Sequence, residues 1–348
     1  KLTAPAPTPS EHPAPVPPFK LMAQITAYRT SQCIRALVEL GIPSLLVERA
    51  RSLGELAEIT GTKPRLLERV LRHLVNEEVI SLDAQGHYLP SPVTRHLVPG
   101  HPQSLHNWVA CELDPLLWRS WENLPEQLRT GTTAFDLAHG SAFFDWHAQD
   151  EAAQKRFDDQ MNGASKGIGA VVVDKLAFAP GTRIMDVGGG NGSFLAQILD
   201  RNAETTGTLF ELPRGVEDHD PLFEQMRSNG RATTQYGSFF EHVPGGADVY
   251  LFSRVFHDFD DEAAITILQN TSQSLSGKER LYLIDMMTSD AAADARGSSQ
   301  DIFMMTQLGG RERTADEFIE LLAKAGFETS SITPTASPVS ILEFRLAG

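Results

Sequence analysis

The sequence predicts an α/β protein, with a helical N-terminal region followed by a doubly wound, mainly parallel sheet. Three observations support this fold class. Residues 19–82 show apolar residues at helical spacing. From Gly181 onward, strand-like runs alternate with helices, and a glycine-rich turn follows the first of those runs. The length of 348 residues and the hydrophobic content of 41% suit two domains or one large domain.

The composition limits the partners. The chain has 45 acidic against 30 basic residues and a net charge of -15, so nucleic acid and anionic membranes should repel it. Two cysteines, Cys33 and Cys111, provide neither a disulfide framework nor a metal cluster. No apolar run approaches the roughly 20 residues that a membrane-spanning helix needs. We therefore expect a cytoplasmic protein that binds no nucleic acid, no membrane and no metal.

The N-terminus begins with an arm rich in proline. Residues 1–18 contain seven prolines and almost no large apolar groups, which is typical of a disordered arm. A helix should begin at Phe19. Its apolar residues lie on two faces, so it should be buried on more than one side or broken in the middle. Gly41 should stop it, and Ser52 with Glu55 should form a capping box for the next helix.

A winged helix is the predicted outcome for residues 19–103. A third helix should run from Lys63 to Glu77, and Val79–Leu82 should pair with His87–Leu89 as a hairpin. Winged helices often bind DNA, but here acidic residues are mixed among the basic ones and the whole chain is acidic. A scaffold that dimerises and walls a substrate pocket is the favoured interpretation.

Residues 104–165 should form a helical connector. This stretch is rich in aromatic residues and is interrupted by Gly131 and Gly140. Most of the rings should be ordinary core. A few could line the pocket of an aromatic substrate.

Residues 166–348 should contain the sheet. The last two strand-like runs have no helix between them, so they should pair as an antiparallel hairpin. The predicted strands are Thr182–Val187, Thr208–Leu212, Thr233–Tyr236, Ala247–Phe252, Arg280–Asp285, Phe327–Thr333 and Val339–Phe344. Helices are predicted near 192–201, 217–229, 261–275 and 314–325.

The glycine-rich turn, residues 186–192, indicates the kind of ligand. Its glycines stand at 188, 190 and 192, and the first of them is two residues after Asp186. This D-x-G-x-G-x-G spacing differs from the G-x-G-x-x-G of dinucleotide folds and resembles motif I of methyltransferases that use S-adenosylmethionine (SAM). Asp186 and polar backbone groups would hold the amino-acid end of SAM. Glu211, at the end of the second strand, could accept the two ribose hydroxyls, or it could be a surface residue.

Catalytic chemistry is indicated after the fourth strand. His257 lies there, and histidine titrates near neutral pH. A phenol has a pKa of about 10, so it needs a general base before it can attack a methyl sulfonium. Asp285, at the end of the fifth strand, and Glu312, before a capped helix, could orient such a histidine. Taken singly, each of the three could instead be structural.

With these residues in place, residues 20–346 resemble the plant caffeic-acid/hydroxyindole type of small-molecule O-methyltransferase, which includes bacterial natural-product enzymes. The resemblance rests on several motifs in order. They are Leu53–Ala57, Leu66–Leu74, Phe157–Met161, the glycine turn, Gly237–Phe240, Phe256–Phe259 and Gly309–Thr314.

The resemblance implies a homodimer with intertwined N-terminal domains, a class I methyltransferase sheet, and SAM as cofactor with no metal. His257 would be the general base, flanked by Asp285 and Glu312. The cofactor residues would be Asp186, Gly188, Gly190, Glu211, Ser238, Phe239 and Ser253. The substrate residues would be Met161, Asp258, Phe303, Gln307, Trp118 and Phe143.

The chain departs from the family pattern at four positions. Ser238 stands where an aspartate usually bonds the adenine, and Phe259 stands where tryptophan is typical. Glu211 replaces the commoner aspartate, and Asp285 the commoner glutamate. The acid exchanges move a carboxylate by one methylene without changing its charge, so SAM binding and base orientation should survive.

We therefore expect SAM-dependent O-methylation of a phenolic or enolic hydroxyl on an aromatic small molecule, in natural-product biosynthesis. Three alternatives remain open. The same fold could use SAM for hydroxylation, decarboxylation or a pericyclic reaction. A winged-helix regulator could sense SAM. An NAD dehydrogenase is the third, and the glycine spacing disfavours it.

Overall fold

The computed structural model describes residues 18–213, 219–288 and 295–348. The chain divides into two compact units, with the boundary between Leu113 and Asp114. The predicted proline-rich arm lies, apart from Pro18, outside the described residues.

The N-terminal unit is built on six helices and a small sheet within its described residues. Of the two alternatives for the first helix, the structure shows the break, because α1 ends at Thr26 and α2 begins at Tyr28. The helices are α1 (Phe19–Thr26), α2 (Tyr28–Glu39), α3 (Ile42–Glu48), α4 (Leu53–Thr60), α5 (Pro64–Asn76) and α6 (His106–Glu112). The strands are β1 (Arg51–Ser52), β2 (Ile80–Leu82) and β3 (His87–Pro90), in the order β1-β3-β2.

Local signals in this unit behave as predicted. The Ser52 side chain accepts from the backbone N–H of Glu55, and the Glu55 carboxylate accepts from Ser52 N in return, so the capping box is formed. Gly41 takes a φ of 67°, and the short, unexpected helix α3 follows it. The expected hairpin forms from β2 and β3. α5 buries Leu67, Leu71 and Leu74, the inward face of an amphipathic helix.

Five connector helices open the C-terminal unit. Gly131 and Gly140 end α8 and α9 in the left-handed conformation that glycine adopts without strain. The helices are α7 (Pro115–Ser120), α8 (Leu124–Thr130), α9 (Ala134–His139), α10 (Phe143–His147) and α11 (Glu151–Val172).

The sheet of this unit has seven strands within the described residues, in the order β6-β5-β4-β7-β8-β10-β9. Neighbours from β6 to β8 are parallel, and β10 runs antiparallel to both β8 and β9. The predicted parallel sheet and C-terminal hairpin are thus confirmed. The strands are β4 (Arg183–Val187), β5 (Thr206–Glu211), β6 (Ala232–Tyr236), β7 (Val249–Ser253), β8 (Arg280–Met286), β9 (Phe327–Pro334) and β10 (Val339–Leu346).

Helices cover the sheet. They are α12 (Ser193–Arg201), α13 (Pro221–Ser228), α14 (Asp261–Ser272), α15 (Ala295–Gln307) and α16 (Ala315–Lys324). α15 is absent from the sequence prediction. Its first half contains Gly297, Ser298 and Ser299, which are loop-forming residue types.

Both faces of the sheet are buried. Along β4, Ile184 packs in one apolar core while Met185 and Val187 pack in the other, because successive side chains point to opposite faces. The strand order reverses between β4 and β7, where the chain connections diverge. Ligands bind at the carboxyl ends of strands at such a switch point. Among the described helices, none combines the length and apolar character that crossing a membrane requires.

Candidate active site

The glycine turn connects β4 to α12. Gly188, Gly190 and Gly192 all have positive φ, at 71°, 61° and 83°. A Cβ at Gly188 would lie 3.1 Å from Val255 Cγ2, and a Cβ at Gly192 would lie 2.6 Å from the Phe223 ring. Glycine is therefore required here for its backbone conformation and, at these two positions, for close packing.

Asp186 lies beneath this turn and is fully buried. Among the described residues, neither of its carboxylate oxygens has a hydrogen-bond partner. Burial, and next the charge of Glu211, raise its pKa to about 7. A buried carboxylate without a partner is costly, and a ligand cation or N–H group would relieve that cost. The ammonium group of SAM has this chemistry, so the turn fits SAM.

Glu211 folds back onto the same turn from the end of β5. Gly190 N donates to its Oε2 at 3.0 Å, and Leu212 N donates to its Oε1 at 2.7 Å. Two predicted cofactor residues are thus in direct contact. A carboxylate oxygen has two lone pairs, so it can accept more than one hydrogen bond.

An aromatic wall stands beside Gly188. A Cβ on that glycine would lie 3.4 Å from the Phe239 ring. Phe239 packs against Phe240 and Phe259, with ring centroids 5.1 and 5.8 Å away. The Ser238 hydroxyl accepts from Phe240 N at 3.3 Å, and a hydroxyl can also donate.

His257 lies in a short 3₁₀ turn, Phe256–Asp258, just after β7, and is 4% exposed. Its Nδ1 is 3.1 Å from Glu312 Oε1 and 3.8 Å from Asp285 Oδ1. Its Nε2 is 3.4 Å from Asp258 Oδ1. Three carboxylates therefore surround one imidazole, and the structure brings together all three predicted catalytic residues.

The carboxylates control the protonation of this imidazole. Burial by itself lowers the pKa of His257, but the charges of Asp285 and Asp258 and the hydrogen bond to Glu312 outweigh it and raise the pKa to about 9. Burial raises the pKa of Asp285 to about 6, against the opposing charge of His257. His257 therefore holds a proton at neutral pH, and its base form increases as the pH rises toward 9.

Backbone contacts fix the histidine turn to the segment that contains Glu312. Arg311 N donates to His257 O at 3.0 Å. A Cβ at Gly310 would lie 2.1 Å from the same oxygen, so a side chain there would break this contact. On the other side, Glu312 N donates to Asp301 Oδ1 of α15 at 2.8 Å.

Arg313 is a supporting residue that the sequence analysis missed. It is 1% exposed and donates to Phe256 O at 2.8 Å, to Phe259 O at 3.0 Å and to Asp261. It thus holds both ends of the turn around His257. The available signal was an arginine beside a predicted catalytic acid, which by itself does not distinguish a buried side chain from an exposed one.

The predicted acceptor residues have different surroundings. On α15, Gln307 is fully buried and neither polar atom of its amide has a partner among the described residues, whereas Phe303 is half-buried. Trp118 is half-buried on α7, a helix that packs against α15. Phe143 is buried among Phe135, His147 and Phe157. The roles of these residues toward an acceptor stay predictions.

The cluster of predicted catalytic residues also has the composition of a metal site. Ligand atoms of His257, Asp285 and Glu312 lie within 4.8 Å of one another. The 3.1 Å between His257 Nδ1 and Glu312 Oε1 is a hydrogen-bond distance, so Nδ1–H donating to the carboxylate accounts for the contact. This arrangement leaves Nε2 as the atom that can exchange a proton with a ligand.

Comparison with known proteins identifies two family matches. Residues 121–328 match the O-methyltransferase domain, and residues 22–100 match the O-methyltransferase dimerisation domain.

Individual relatives match over nearly the whole chain. The phenazine O-methyltransferase PhzM of Lysobacter antibioticus is 32% identical over 93% of this chain and 95% of its own length. The aclacinomycin 10-hydroxylase RdmB of Streptomyces purpurascens is 32% identical over 90% of this chain and 87% of its own. The crystal structure of LaPhzM superimposes with a TM-score of 0.86 at 32% identity, covering 95% of this chain and 100% of that one.

Proposed function

The chain belongs to the O-methyltransferase family, and from that membership we propose how its residues transfer the methyl group. It is a SAM-dependent O-methyltransferase. We propose that its acceptor is a phenolic or enolic hydroxyl on an aromatic small molecule of natural-product biosynthesis, and that His257 is the general base. The observation that supports the base is the enclosure of His257 by Asp258, Asp285 and Glu312 at the sheet edge that also contains the glycine turn.

Different cofactor residues would contact different parts of SAM. Asp186 offers a buried carboxylate to the ammonium group, Gly188 and Gly190 allow close approach, and Glu211 offers oxygens to the ribose. Phe239 provides a ring face for the adenine, with Ser238 and Ser253 at its border. When bound, SAM supplies an electrophilic methyl group on a sulfonium. The residues of the chain supply the alignment and the proton acceptor.

His257 removes the proton from the acceptor. With Nδ1–H donating to Glu312, the neutral imidazole has its lone pair on Nε2. Nε2 would take the hydroxyl proton as the acceptor oxygen is methylated; bound SAM would supply the methyl group and would be left as S-adenosylhomocysteine. The pKa of His257 is about 9, close to the value of about 10 for a phenol, so this proton transfer is nearly balanced in energy.

Acceptor contacts are proposed for six side chains. Gln307 offers an unpartnered buried amide, which can donate to one polar group and accept from another. Met161, Phe303, Trp118 and Phe143 would provide apolar walls, and Asp258 would contact the acceptor beside His257 Nε2.

A homodimer is proposed through the N-terminal unit. Every residue of α1 is exposed or half-buried, including Phe19 at 73%, Leu21 at 58% and Ile25 at 64%. An isolated helix of eight residues is unstable in water, so a second copy covering this face would explain it. The match to the dimerisation domain supports this proposal, and light scattering on the purified protein would test it. A cytoplasmic location stays a prediction.

The test is to count products. The purified protein is incubated with SAM and a panel of phenols and hydroxyquinones, and S-adenosylhomocysteine is measured against methylated acceptor. We expect one S-adenosylhomocysteine for each O-methylated product. A product with an added hydroxyl or a lost carboxyl group, formed without S-adenosylhomocysteine, would instead assign this chain the non-methylating chemistry of the fold.

A further inference from the structure

In the proposed reaction, Asp301 of α15 has no assigned role. Its Oδ1 accepts a hydrogen bond from Glu312 N at 2.8 Å. The two residues are 11 positions apart and belong to different segments, because α15 ends at Gln307. The same helix contains Phe303 and Gln307, for which acceptor contacts are proposed. One side chain therefore joins the proposed acceptor helix to the residue that would orient the base.

The Glu312 carboxylate depends on its own backbone for its position. The residue is 4% exposed, and its Oε1 lies 3.1 Å from His257 Nδ1. Its Oε2 has no hydrogen-bond partner in the described parts of the chain. Within residues 18–213, 219–288 and 295–348, the imidazole is therefore the one hydrogen-bond donor to this carboxylate. A small shift of the Glu312 backbone would move Oε1 relative to Nδ1.

Hydrogen bonds hold the backbone on each side of Glu312. Arg311 N donates to His257 O at 3.0 Å, and Arg313 O accepts from Thr288 N at 3.1 Å. Between them, Glu312 N donates to the Asp301 side chain. A buried N–H group without an acceptor is costly, so loss of the Asp301 oxygen would favour a shift of this segment.

Asp301 acts from a helix that is itself fixed. Gln127, which is 6% exposed on α8, donates from Nε2 to Met305 O of α15 at 2.7 Å. The Oε1 of the same amide accepts from Ala134 N, at the start of α9, at 3.1 Å. Both polar atoms of this amide are thus used to tie α15 to the connector helices. Such a helix can serve as a rigid support for the segment that contains Glu312.

We propose that Asp301 is a positioning residue, which holds the Glu312 backbone so that its carboxylate stays directed at His257 Nδ1. The role rests on the proposed function of His257 as the base. Because Asp301 lies on α15, the acceptor residues of that helix and the carboxylate that orients the base share one support. A measurement on the imidazole tests the positioning, and a kinetic measurement tests its use in the reaction.

The first measurement is the NMR signal of the His257 Nδ1–H proton, in ligand-free protein with isotope-labelled histidine at neutral pH. Its absence from His257→Gln identifies the signal. A hydrogen bond between an imidazole N–H and a carboxylate is short and strong, so this proton should resonate at low field and exchange slowly with water.

The variants at position 301 should divide by whether they keep an acceptor. Asp301→Ala removes the acceptor of Glu312 N, so the signal should move upfield or be lost through exchange. Asp301→Asn keeps a carbonyl oxygen in the same place, so it should retain the wild-type signal. Asp200→Ala, exposed on α12, is the matched control and should leave the signal unchanged. If Asp301→Ala does not fold, Asp301→Leu replaces it, because leucine has a similar shape and no acceptor.

Two results would overturn the proposal. One is an unchanged signal in the variant that lacks an acceptor. The other is a loss of the signal in Asp301→Asn, because the role requires an oxygen acceptor rather than a charge. A merely structural role for Asp301 would lower the Tm and leave the signal in place.

The second measurement is steady-state kinetics with an acceptor found by product counting. Asp301→Ala should lower kcat by about 3- to 10-fold, the range of one hydrogen bond, with the KM for SAM unchanged. Asp301→Asn should restore kcat. A raised KM for SAM with unchanged kcat would contradict the proposal. If the NMR signal behaves as expected but kcat does not fall, Asp301 positions Glu312 and the assignment of His257 as the base fails.

Discussion

Asp186 and Asp285 are two buried aspartates at the carboxyl ends of parallel strands in one sheet, and they differ in what surrounds them. Both are 0% exposed. Asp285 accepts from Met286 N and lies 3.8 Å from His257. Asp186 has no hydrogen-bond partner among the described residues.

The difference shows in their pKa values. Burial raises both, to about 6 at Asp285 and about 7 at Asp186. At Asp285 the charge of His257 opposes the rise, whereas at Asp186 the charge of Glu211 adds to it. In the proposed function, His257 is the cation beside Asp285, and Asp186 would receive its cation from a bound ligand.

Removing the proposed base, His257, tests the group that lies beside Asp285. We expect the largest loss of activity from this change. His257→Ala should lower kcat/KM by about 10²- to 10⁴-fold with SAM affinity unchanged, because it deletes the proton acceptor. Steady-state kinetics and calorimetry would measure the two quantities. His87→Ala, on the hairpin of the N-terminal unit, is the matched control. Full turnover by His257→Ala would show that the base assignment is wrong.

Neutralising the unpartnered acid should separate binding from stability. Asp186→Asn should weaken SAM binding by about 10- to 100-fold, the loss expected for a hydrogen bond to a charged group. The same change should raise the Tm of the ligand-free protein at pH 8. The folded-state pKa of Asp186 is about 7, above its unfolded value, so the stability it contributes is present at low pH and is lost as the pH rises through 7.

Thermal unfolding at pH 5 and pH 8 would measure this gain, with Asp200→Asn on the exposed face of α12 as control. The gain should be larger at pH 8. SAM binding as tight as in the wild type would contradict the ligand role of Asp186, and a variant destabilised at pH 8 would contradict its raised pKa.

Weakening the support of the base should give a smaller, pH-dependent effect. Activity should rise with pH through the His257 pKa of about 9, because the neutral imidazole is the base. Glu312→Gln removes a charge that raises this pKa, so the midpoint of log kcat/KM should move to lower pH by about one unit. The plateau at high pH should fall, because an amide orients Nδ1–H less strongly. Glu320→Gln, exposed on α16, is the control, and an unmoved midpoint would show that Glu312 does not act on the base.

Much of the fold could be predicted because its signals are local. The capping boxes at Ser52 and Thr314 and the glycine positions in the 186–192 turn depend on neighbouring residues and on backbone conformation. The sequence did not predict α15, because glycine and serine near its beginning are residue types that favour loops. Its stability comes from packing against α7 and α9, which no local pattern records.

The candidate site divides in the same way. Strand ends could be located from the alternation of apolar runs, so Asp186, Glu211, His257 and Asp285 could be assigned to one edge. Arg313 lies within the Gly309–Thr314 motif, but the sequence predicted no role for it. A sequence does not say whether an arginine is buried, or whether a carboxylate lies beside it.

The order of residues was enough to establish the sheet, its glycine turn and the acids at its carboxyl edge, because strand period and glycine conformation act over a few residues. Folding was needed to establish the chemistry of those groups. His257 and Glu312 are 55 positions apart and lie 3.1 Å from each other. A pKa depends on such distances and on burial, so the raised pKa of His257 and the burial of Asp186 without a hydrogen-bond partner among the described residues arise only when distant segments pack together.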